Sequence, residues 1–572
     1  MGIFHNEKDG LAVTGYAGDR TVLLAFDLPE AKTKDLAGFA IAVSEPDKEP
    51  DLKKRYFLGN RLSFEDGVTA KTAYDANIWK PSDKAPFQAF HWAHYPSLGF
   101  GRYTYTVFAT YFDGDSVQLC PSVDLAVDLT PPAQGVVNLG FTRTMISSQA
   151  YVDKFENKPL YPEPQTIDPY PADYIERQTW LGAHARELVM GFLEKCKNDP
   201  GVTLDAFTYD FNESEVIRSI CTLGRRARVF QDNSASHCCA GTDVEGMQSK
   251  TAKKKLPLEP EVVKAMRDNG VTVKTGHFGG LSHNKVLIRR RNGVAEAVLT
   301  GSANFTIRGL YVQANSVLVF EDARVAGLYA QAFDQAWDAP EKFRKSPIAT
   351  DWHDLQIGKS RYSFSFAPHE TPYPLEEIKK AIDGSKRSVL FAMMQVAASS
   401  GDAVDAIEAL PAREDLYSMG VIQKESEIGA FKPDTGDKNF THASAAFLAK
   451  NVPPPFKKEI SGGSGQVIHH KLVVCDFNGE NPVVFCGSSN LAAGGETGNS
   501  DNLMAIYDRD LAVMYAVETI RQYEHFRFRG LQKGATKAKP LQLKKTDEWT
   551  RPFYEKGTIY ERERESLMYQ GN

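Results

Sequence analysis

The stretch that decides the fold occurs twice in this chain. Residues 283–304 read HNKVLIRRRNGVAEAVLTGSAN, and residues 469–490 read HHKLVVCDFNGENPVVFCGSSN. In both stretches a His-x-Lys triplet is followed, 18 residues after the His, by Gly-Ser-x-Asn. The same shift of 186 residues aligns further positions without a gap: Asn292-Gly293 with Asn478-Gly479, Asp322 with Asp508, Ala326 with Ala512, and Tyr329-Ala330 with Tyr515-Ala516. Such a duplication predicts two similar halves that can face each other.

Each copy of the motif lies in a sequence context typical of buried strands. Apolar runs follow the Lys directly at 286–288 and 472–474, and strand-like runs at 297–300 and 483–486 end at the Gly. Residues two apart on a strand point to the same face, so each half offers one imidazole and one ammonium group to the same space. The Ser and Asn then follow at a turn, where a hydroxyl and an amide can face an anion.

This set of side chains fits the cleavage of a phosphodiester. Two Lys and two Asn could hold the non-bridging oxygens, and one His could attack phosphorus to give a phosphohistidine. The other His could protonate the leaving oxygen and then deprotonate the attacking water. No cluster of Asp and Glu accompanies the motifs, so we predict a reaction without a metal or other cofactor. The candidate catalytic residues from the motifs are His283, Lys285, Asn304, His469, Lys471 and Asn490.

The two motifs resemble those of the phospholipase D superfamily, whose full pattern is His-x-Lys-x4-Asp followed by Gly-Ser-x-Asn. The second copy matches throughout, with Asp476 at the Asp position, whereas Arg290 replaces that Asp in the first copy. In the family this Asp is largely structural, so the resemblance, over about residues 138–535, implies retained activity. The remaining matching positions are Gly301, Ser302, Gly487 and Ser488. The alternative is a catalytically degenerate protein that binds a phosphodiester.

The residues 32 positions after each His differ between the copies: Asn315 follows His283, and Asp501 follows His469. In the family the group that follows one motif orients the His of the other half. The resemblance therefore implies that Asp501 holds His283 and that Asn315 holds His469. A carboxylate on the second ring nitrogen favours a nucleophilic His, so we predict His283 as the nucleophile and His469 as general acid, then base. Glu496 is a rival carboxylate. The candidate substrate-binding residues are Ser302, Ser488 and Asn315.

Strand and helix patterns divide the chain into several parts. Residues 1–132 show alternating apolar runs separated by turns, which predict an all-β, sandwich-like module of the immunoglobulin or fibronectin kind. Helices and strands then alternate, which predicts an α/β fold with a mostly parallel sheet in each half. We place the phospholipase D-like halves at 138–345 and 350–535, and we expect 541–572 to form a charged surface tail. The β module is a packing or targeting unit that could bind a protein or surface partner.

Composition indicates the redox state of the cysteines and the cellular location of the protein. The net charge is −6, and the chain has seven cysteines without a framework spacing, which favours reduced thiols. His237-Cys238-Cys239 lacks a second pair of ligands at zinc-finger spacing, so we predict no metal there. No apolar run reaches the ~18 residues of a membrane span, and no secretory signal is evident. We expect a monomer that is cytoplasmic, or exported without a classical signal peptide.

The substrate is either a nucleic acid or a phospholipid. Residues 301–306 (GSANFT) resemble the version of the motif in the family's small bacterial nucleases. Lysines at 250 and 253–255 and arginines at 225, 226, 228 and 289–291 could follow a phosphate backbone. Apolar residues at 391–394 and 452–456 could instead line a mouth for acyl chains. We favour a nuclease, with phospholipase D-type hydrolysis or transphosphatidylation of phospholipid head groups as the alternative.

Overall fold

The structure is a computed structural model. It describes residues 2–46, 55–72, 78–114, 116–131, 136–144, 147–234, 237, 258–394, 401–423, 442–444 and 467–569. The N-terminal strands are β1 (Ile3–Lys8), β2 (Leu11–Ala17), β3 (Val22–Asp27), β4 (Leu36–Ser44), β5 (Tyr56–Phe57), β6 (Gly59–Asn60), β7 (Lys80–Pro81), β8 (His91–His94), β9 (Gly101–Asp113) and β10 (Ser116–Leu129).

Eight of these strands form two four-stranded sheets that pack face to face, and β6 pairs separately with β7. One sheet has the order β1-β2-β3-β8, and the other has the order β10-β9-β4-β5. Alternating apolar side chains from both sheets meet in one buried core, where the ring of Phe26 on β3 lies 4.9 Å from that of Phe39 on β4. The predicted all-β N-terminal region is confirmed.

Two larger sheets follow. The first contains β11 (Val137–Phe141), β12 (Val202–Thr208), β13 (Ala227–Asp232), β14 (Thr272–Gly276), β15 (Val286–Arg291), β16 (Val294–Gly301) and β17 (Ser316–Phe320). The second contains β18 (His353–Ile357), β19 (Ser360–Ala367), β20 (Ser388–Met393), β21 (Tyr417–Ile422), β22 (His442–Ser444), β23 (Lys471–Cys475), β24 (Val483–Gly487) and β25 (Asp501–Tyr507). The helices, in chain order, are Ser148–Phe155, Ala172–Asn198, Ser214–Leu223, Glu259–Asp268, Ile307–Tyr311, Ala323–Asp338, Pro374–Gly384, Asp402–Ala409, Ala493–Gly498, Arg509–Gly534, Arg551–Tyr554 and Ile559–Leu567.

The two sheets have the same topology, as expected for a duplication. Their strand orders are β11-β17-β16-β15-β12-β13-β14 and β19-β25-β24-β23-β20-β21-β22, with β18 added at the edge of the second. The repeat also explains two aligned aspartates outside the motifs. Asp322 and Asp508 each cap a helix that follows the last core strand, accepting hydrogen bonds from the main-chain N–H of Arg324 (2.8 Å) and Leu511 (3.0 Å).

The α/β fold class is confirmed, but the prediction of mostly parallel sheets is wrong. In the first sheet only β12, β13 and β14 run parallel, and the pairs made by β15, β16 and β17 are antiparallel. The reason is the length of the connections. A turn at Asn292-Gly293 joins β15 to β16, and so short a turn can join only antiparallel neighbours.

The prediction that residues 541–572 form a surface tail is also wrong. The indole N–H of Trp549 donates to the Leu36 carbonyl at 2.9 Å, and the ring of Phe553 lies 4.8 Å from that of Phe90. Both rings are buried in the core of the N-terminal module. Apolar rings within this charged segment outweigh its polar composition, because burial of an aromatic side chain stabilises by a few kcal/mol.

The two halves meet where the motif strands begin. The main-chain N–H of His283 donates to the Ser500 carbonyl at 2.9 Å, and that of His469 donates to the Ala314 carbonyl at 3.2 Å. Each motif His is therefore tied to the backbone of the opposite half. Among the described residues, the structure contains no helix with the length and apolar character of a membrane span.

Candidate active site

Each motif histidine is held by a side chain from the other half. Nδ1 of His283 lies 2.8 Å from a carboxylate oxygen of Asp501, and Nδ1 of His469 lies 2.8 Å from the amide oxygen of Asn315. Both contacts that the repeat and the resemblance predicted are present. Because each half supplies one His and the group that orients the other, the two motifs form a single site.

The hydrogen bonds fix the tautomer of both rings. Nδ1 of His469 faces two acceptors, Asn315 Oδ1 and the Ser302 carbonyl at 3.0 Å, so this nitrogen carries the proton. The amide orientation of Asn315 is itself fixed, because its Nδ2 donates to the Gly309 carbonyl at 2.8 Å. His283 donates from Nδ1 to Asp501 in the same way. In both rings Nε2 is the nitrogen that can act on a substrate.

The motif serines support the orienting groups. Ser302 Oγ donates to Asn315 Oδ1 at 2.8 Å, and Ser488 Oγ donates to Asp501 Oδ1 at 2.7 Å. A hydroxyl has one proton, and here it is already used behind the histidines. We expected Ser302, Ser488 and Asn315 to bind substrate, and the structure corrects this: all three are buried and engaged in holding the two rings.

The motif glycines are required by close packing between strands. A Cβ atom on Gly301 would lie 2.2 Å from the Ser316 carbonyl oxygen, and one on Gly487 would lie 2.3 Å from that of Asn502. Their φ angles of +146° and +151° also lie outside the region that other residues favour. Only glycine lets the strand end approach the next strand closely enough for the following Ser to reach its partner.

The two lysines lie in the same buried space. Lys471 Nζ donates to the carbonyl of His469 at 2.7 Å, and Lys285 donates to that of His283. Burial lowers the pKa of Lys285 to about 8. Burial and the charge of Lys285 together hold the pKa of Lys471 well below its usual value. Two ammonium groups that destabilise each other in this way form a strong site for an anion, since a bound anion relieves both penalties.

The two motif histidines have pKa values below their usual range. Burial lowers the pKa of His283, although the charge of Asp501 opposes that shift. Burial, followed by the charges of Lys471, Lys285 and His283, holds the pKa of His469 well below its usual value. Burial raises the pKa of Asp501, but the hydrogen bonds from His283 and Ser488 and the charge of Lys285 lower it overall, so the carboxylate stays ionised. At neutral pH the rings of His283 and His469 are therefore neutral, unless a bound ligand changes the electrostatic potential around them.

The Asp position of the His-x-Lys-x4-Asp pattern has a structural role in the second half and carries the opposite charge in the first. Asp476 accepts hydrogen bonds from the main-chain N–H groups of Arg387 (2.7 Å) and Ser388 (2.9 Å), which fixes the turn before β20. In the first half Arg290 instead pairs with Asp205 at 2.6 Å and Asp334 at 2.9 Å. Neither residue contacts a motif His, so the substitution changes how the sheet end is stabilised and leaves the site intact.

Four arginines of the predicted basic cluster, Arg228, Arg289, Arg290 and Arg291, extend away from the histidines and are paired with carboxylates. Arg228 pairs with Asp205 at 2.8 Å and with Asp334 at 2.9 Å, sharing both carboxylates with Arg290. Strand β15 runs from beside Lys285 to Arg291, a span of roughly 20 Å at about 3.3 Å per residue. The other pairs are Arg289 with Glu296 and Glu321, and Arg291 with Asp199 and Glu296. These arginines stabilise the far end of the sheet and give no support to a nucleic-acid track.

The other sequence-based candidates have different outcomes. Phe391 and Met393 are buried core residues of β20, so they line no acyl-chain mouth. Glu496 accepts a hydrogen bond from Ser489 and lies 3.4 Å from His369, so Asp501 is the carboxylate on His283. The lysines at 250 and 253–255 and residues 452–456 lie outside the described residues, as do Cys238 and Cys239.

One possible metal-binding group lies elsewhere. Within the described part of the chain, His91, Glu524 and Glu563 are the His and carboxylate side chains close enough together to share an ion. They join the N-terminal module to the helices Arg509–Gly534 and Ile559–Leu567. Arg527 lies 3.7 Å from Glu524 and already supplies a partly buried positive charge there. The cluster thus balances two carboxylates with Arg527 and an imidazole whose pKa the two glutamates raise against the effect of burial.

Sequence reasoning missed three residues next to the motif of the first half. Asp210 accepts a hydrogen bond from the amide of Asn304 at 2.7 Å and also contacts His237 at 2.7 Å. The second ring nitrogen of His237 lies 2.7 Å from Asp232. The amide oxygens of Asn304 and of its counterpart Asn490 accept no hydrogen bond from any described residue. No spacing in the sequence points to Asp210 or His237, because they lie on separate loops after β12 and β13.

Comparison with known protein families finds a match in the first half of the chain. A family model described as "Cardiolipin synthase, PLD-like domain" matches residues 201–337, which contain the first motif. Together with the second motif and the repeated sheet topology, this match supports membership of the phospholipase D superfamily. No curated protein matches the sequence.

Several solved structures are similar to this chain at low sequence identity. Polyphosphate kinase from Porphyromonas gingivalis has 11% identity and a TM-score of 0.38, over 60% of this chain and 53% of that one, so the match spans about half of the kinase. Phosphatidylserine synthase from Haemophilus influenzae Rd KW20 has 11% identity and a TM-score of 0.38, over 59% and 84%. Yeast tyrosyl-DNA phosphodiesterase has 9% identity and a TM-score of 0.28, over 54% and 83%.

Proposed function

We propose that this protein hydrolyses a phosphodiester through a covalent phosphohistidine on His283, with His469 as general acid and then base. The observation that carries the proposal is the crossed pair of contacts, Asp501 on His283 and Asn315 on His469. Both rings keep Nε2 for the substrate, and only the His283 ring has a carboxylate behind it. An ionised partner stabilises the positive charge that develops on the attacking ring.

The reaction proceeds in two displacements. Nε2 of His283 attacks phosphorus, the bond to the leaving oxygen breaks, and the proton on Nε2 of His469 passes to that oxygen. Neutral His469 then takes a proton from water, whose oxygen attacks phosphorus and releases His283. Lys285 and Lys471 neutralise the non-bridging oxygens throughout. Every group in this scheme belongs to the two motifs, so the scheme requires no metal ion.

The low pKa of His469 is consistent with this role. Lys471 and Lys285 are, after burial, the main causes of that depression. A phosphodiester anion bound between the lysines offsets their charge, which raises the pKa of His469 in the complex. His469 therefore gains its proton when substrate binds, which is when the leaving group needs it.

We propose a nucleic-acid backbone as the first substrate to test, because residues 301–306 resemble the motif of the family's small nucleases. Phospholipid head groups are the second candidate, because the matching family model is described as a cardiolipin synthase domain. Both substrates present the same phosphodiester to the site. Hydrolysis of single- and double-stranded DNA and RNA is compared with that of phosphatidylcholine and phosphatidylglycerol vesicles, all in EDTA, and the fastest turnover identifies the substrate.

The mechanism is tested by trapping the covalent phosphohistidine intermediate. Bis(4-nitrophenyl) phosphate has a leaving group that needs no general acid, so His469→Ala should still form phosphohistidine but release it slowly. His283→Ala should form none. An alkaline quench and mass spectrometry of the peptides locate the phosphoryl group. A label on His469 would reverse the two roles, and no label with normal turnover would exclude the covalent route.

The third possibility, a degenerate protein that only binds phosphodiesters, predicts no turnover of any of these substrates. This possibility is disfavoured because each of the two motifs has its complete set of His, Lys and Asn. Arg290, the residue that suggested degeneracy, makes its contacts with Asp205 and Asp334 and with neither motif His.

A further inference from the structure

A third histidine is built into the wall of this site between two aspartates. Nε2 of His237 lies 2.7 Å from Oδ1 of Asp210, and Nδ1 lies 2.7 Å from Oδ2 of Asp232. The His237 ring is almost fully buried, and it meets the Tyr209 ring edge to face at 4.7 Å. The same Tyr209 ring lies 4.8 Å from that of His283.

The contacts determine the charge state of this histidine. An ionised carboxylate can only accept a hydrogen bond, so both ring nitrogens of His237 must donate and the ring is an imidazolium. Burial alone would lower its pKa, but the hydrogen bonds to Asp210 and Asp232, with the charge of Glu259 nearby, raise the pKa of His237 to about 10. The pKa values of Asp210 and Asp232 are lowered by the same contacts, against the effect of burial.

Each aspartate uses its second oxygen on a motif element. Oδ2 of Asp210 accepts from Nδ2 of Asn304 at 2.7 Å, and Oδ1 of Asp232 accepts from the main-chain N–H of Ser282 at 2.7 Å. Ser282 directly precedes His283. One proton of the Asn304 amide is thus held by Asp210, which directs the amide plane and leaves the second proton for a phosphate oxygen.

We propose that Asp210, His237 and Asp232 are positioning residues that fix the amide of Asn304 and the main chain that carries His283. The inference rests on the proposed function and deepens it. His237 locks the two carboxylates into one orientation, and each carboxylate then holds one motif element. The network also keeps the charge of Asp210 from pulling the ammonium of Lys285 away from the anion site, because Asp210 is already neutralised by the imidazolium.

The geometry excludes the metal role that His237-Cys238-Cys239 suggests. A metal ligand needs a nitrogen lone pair, and both nitrogens of His237 face carboxylates at hydrogen-bonding distance. Both lone-pair positions are therefore occupied by protons in this arrangement.

Phosphate binding by the Asp210→Asn variant distinguishes a positioning role of Asp210 from a purely electrostatic role, because the two roles predict changes in opposite directions. Asp210→Asn removes a negative charge near the phosphate site, so charge alone predicts tighter binding of inorganic phosphate. Positioning predicts the opposite. An Asn has one acceptor oxygen for two donors, so its own N–H group faces either Asn304 or His237. Calorimetry with the full-length protein and inorganic phosphate should show about tenfold weaker binding, and kcat/KM for bis(4-nitrophenyl) phosphate should fall about 10- to 100-fold.

A double-mutant cycle shows whether Asp210 acts through Asn304. In an Asn304→Ala background the group that Asp210 positions is gone, so Asp210→Asn should change phosphate binding and kcat/KM less than about twofold.

The matched control for His237→Gln is His184→Gln. His184 is another buried His held by a carboxylate, Asp19 at 3.0 Å, but it shares no hydrogen bond with the motif residues that the structure describes. Only His237→Gln should impair phosphate binding.

The results of these experiments test the positioning role of Asp210 and the proposed function separately. Phosphate binding that is unchanged or tighter in Asp210→Asn overturns the proposal, as does an equal loss with and without Asn304. If phosphate binds in the expected pattern but bis(4-nitrophenyl) phosphate is not turned over, the proposed function fails while the positioning network stands. If the wild-type protein binds no phosphate at millimolar concentration, both are wrong.

Discussion

Replacing Asp501 with Asn tests the asymmetry on which the assignment of the nucleophile rests. Oδ1 of Asp501 accepts hydrogen bonds from His283 at 2.8 Å and from Ser488 at 2.7 Å, and the side chain is only 1% exposed. An Asn keeps the size and one acceptor oxygen, so both hydrogen bonds can persist. What is lost is the negative charge behind the ring.

The size of the effect follows from these distances. When His283 attacks phosphorus its ring becomes positive, with its charge about 4 Å from that of the carboxylate. At an effective dielectric constant of about 20, this attraction contributes about 4 kcal/mol. The difference between a charge-assisted and a neutral hydrogen bond gives a lower figure of about 1–2 kcal/mol. Since about 1.4 kcal/mol corresponds to a factor of ten, kcat/KM should fall between about tenfold and about a thousandfold.

The assay is a rapid-mixing measurement of 4-nitrophenolate release from bis(4-nitrophenyl) phosphate. The first turnover reports attack by His283, and this phase should slow in Asp501→Asn. Asp205→Asn is the matched control, because Asp205 is an equally buried carboxylate whose partners are Arg228 and Arg290 at the far end of the sheet. A first turnover within threefold of wild type in Asp501→Asn would refute the assignment of His283 as the carboxylate-supported nucleophile.

Three further outcomes are expected. Because the pKa of Lys285 is lowered to about 8, its charge is lost above that pH, so kcat/KM should decline there, and Lys285→Arg should move this limb to higher pH in a pH–rate profile. Activity should survive EDTA; complete loss restored by Mg²⁺ or Zn²⁺ would contradict the mechanism, whereas partial stimulation would reflect screening of the substrate. Phe553→Ala should destabilise the protein by about 3–4 kcal/mol, measured by chemical denaturation, because the ring is buried against Phe90. An unchanged denaturation midpoint would contradict its place in the core.

The sequence predicted the centre of the site well because that part is encoded as a repeat. One shift of 186 residues places Asp501 and Asn315 at matching positions on β25 and just before β17, and the two halves then exchange these groups. The register of the repeat was sufficient because the strands that carry the motifs have the same order in both sheets.

The parts outside the repeat could not be predicted in this way. Asp210 and His237 have no counterpart in the repeat, and they meet only because β12 and β13 lie side by side. The clustered arginines were misleading, because neighbours in sequence along β15 extend away from the site and meet carboxylates from other elements. Trp549 and Phe553 did carry a signal, since two aromatic residues four apart in a charged segment indicate an apolar helical face.

The burial of Trp549 and Phe553 among strands β3 and β4 and the loop before β8 also bears on the order of folding during synthesis. Domains generally fold as they emerge from the ribosome, beginning with the N-terminal one. Here the first module emerges without two aromatic rings of its own core, which follow about five hundred residues later. Until then its sheets leave an apolar groove that needs protection. A chain truncated before residue 545 should therefore bind a separate peptide spanning 545–569, as a split protein binds its missing strand.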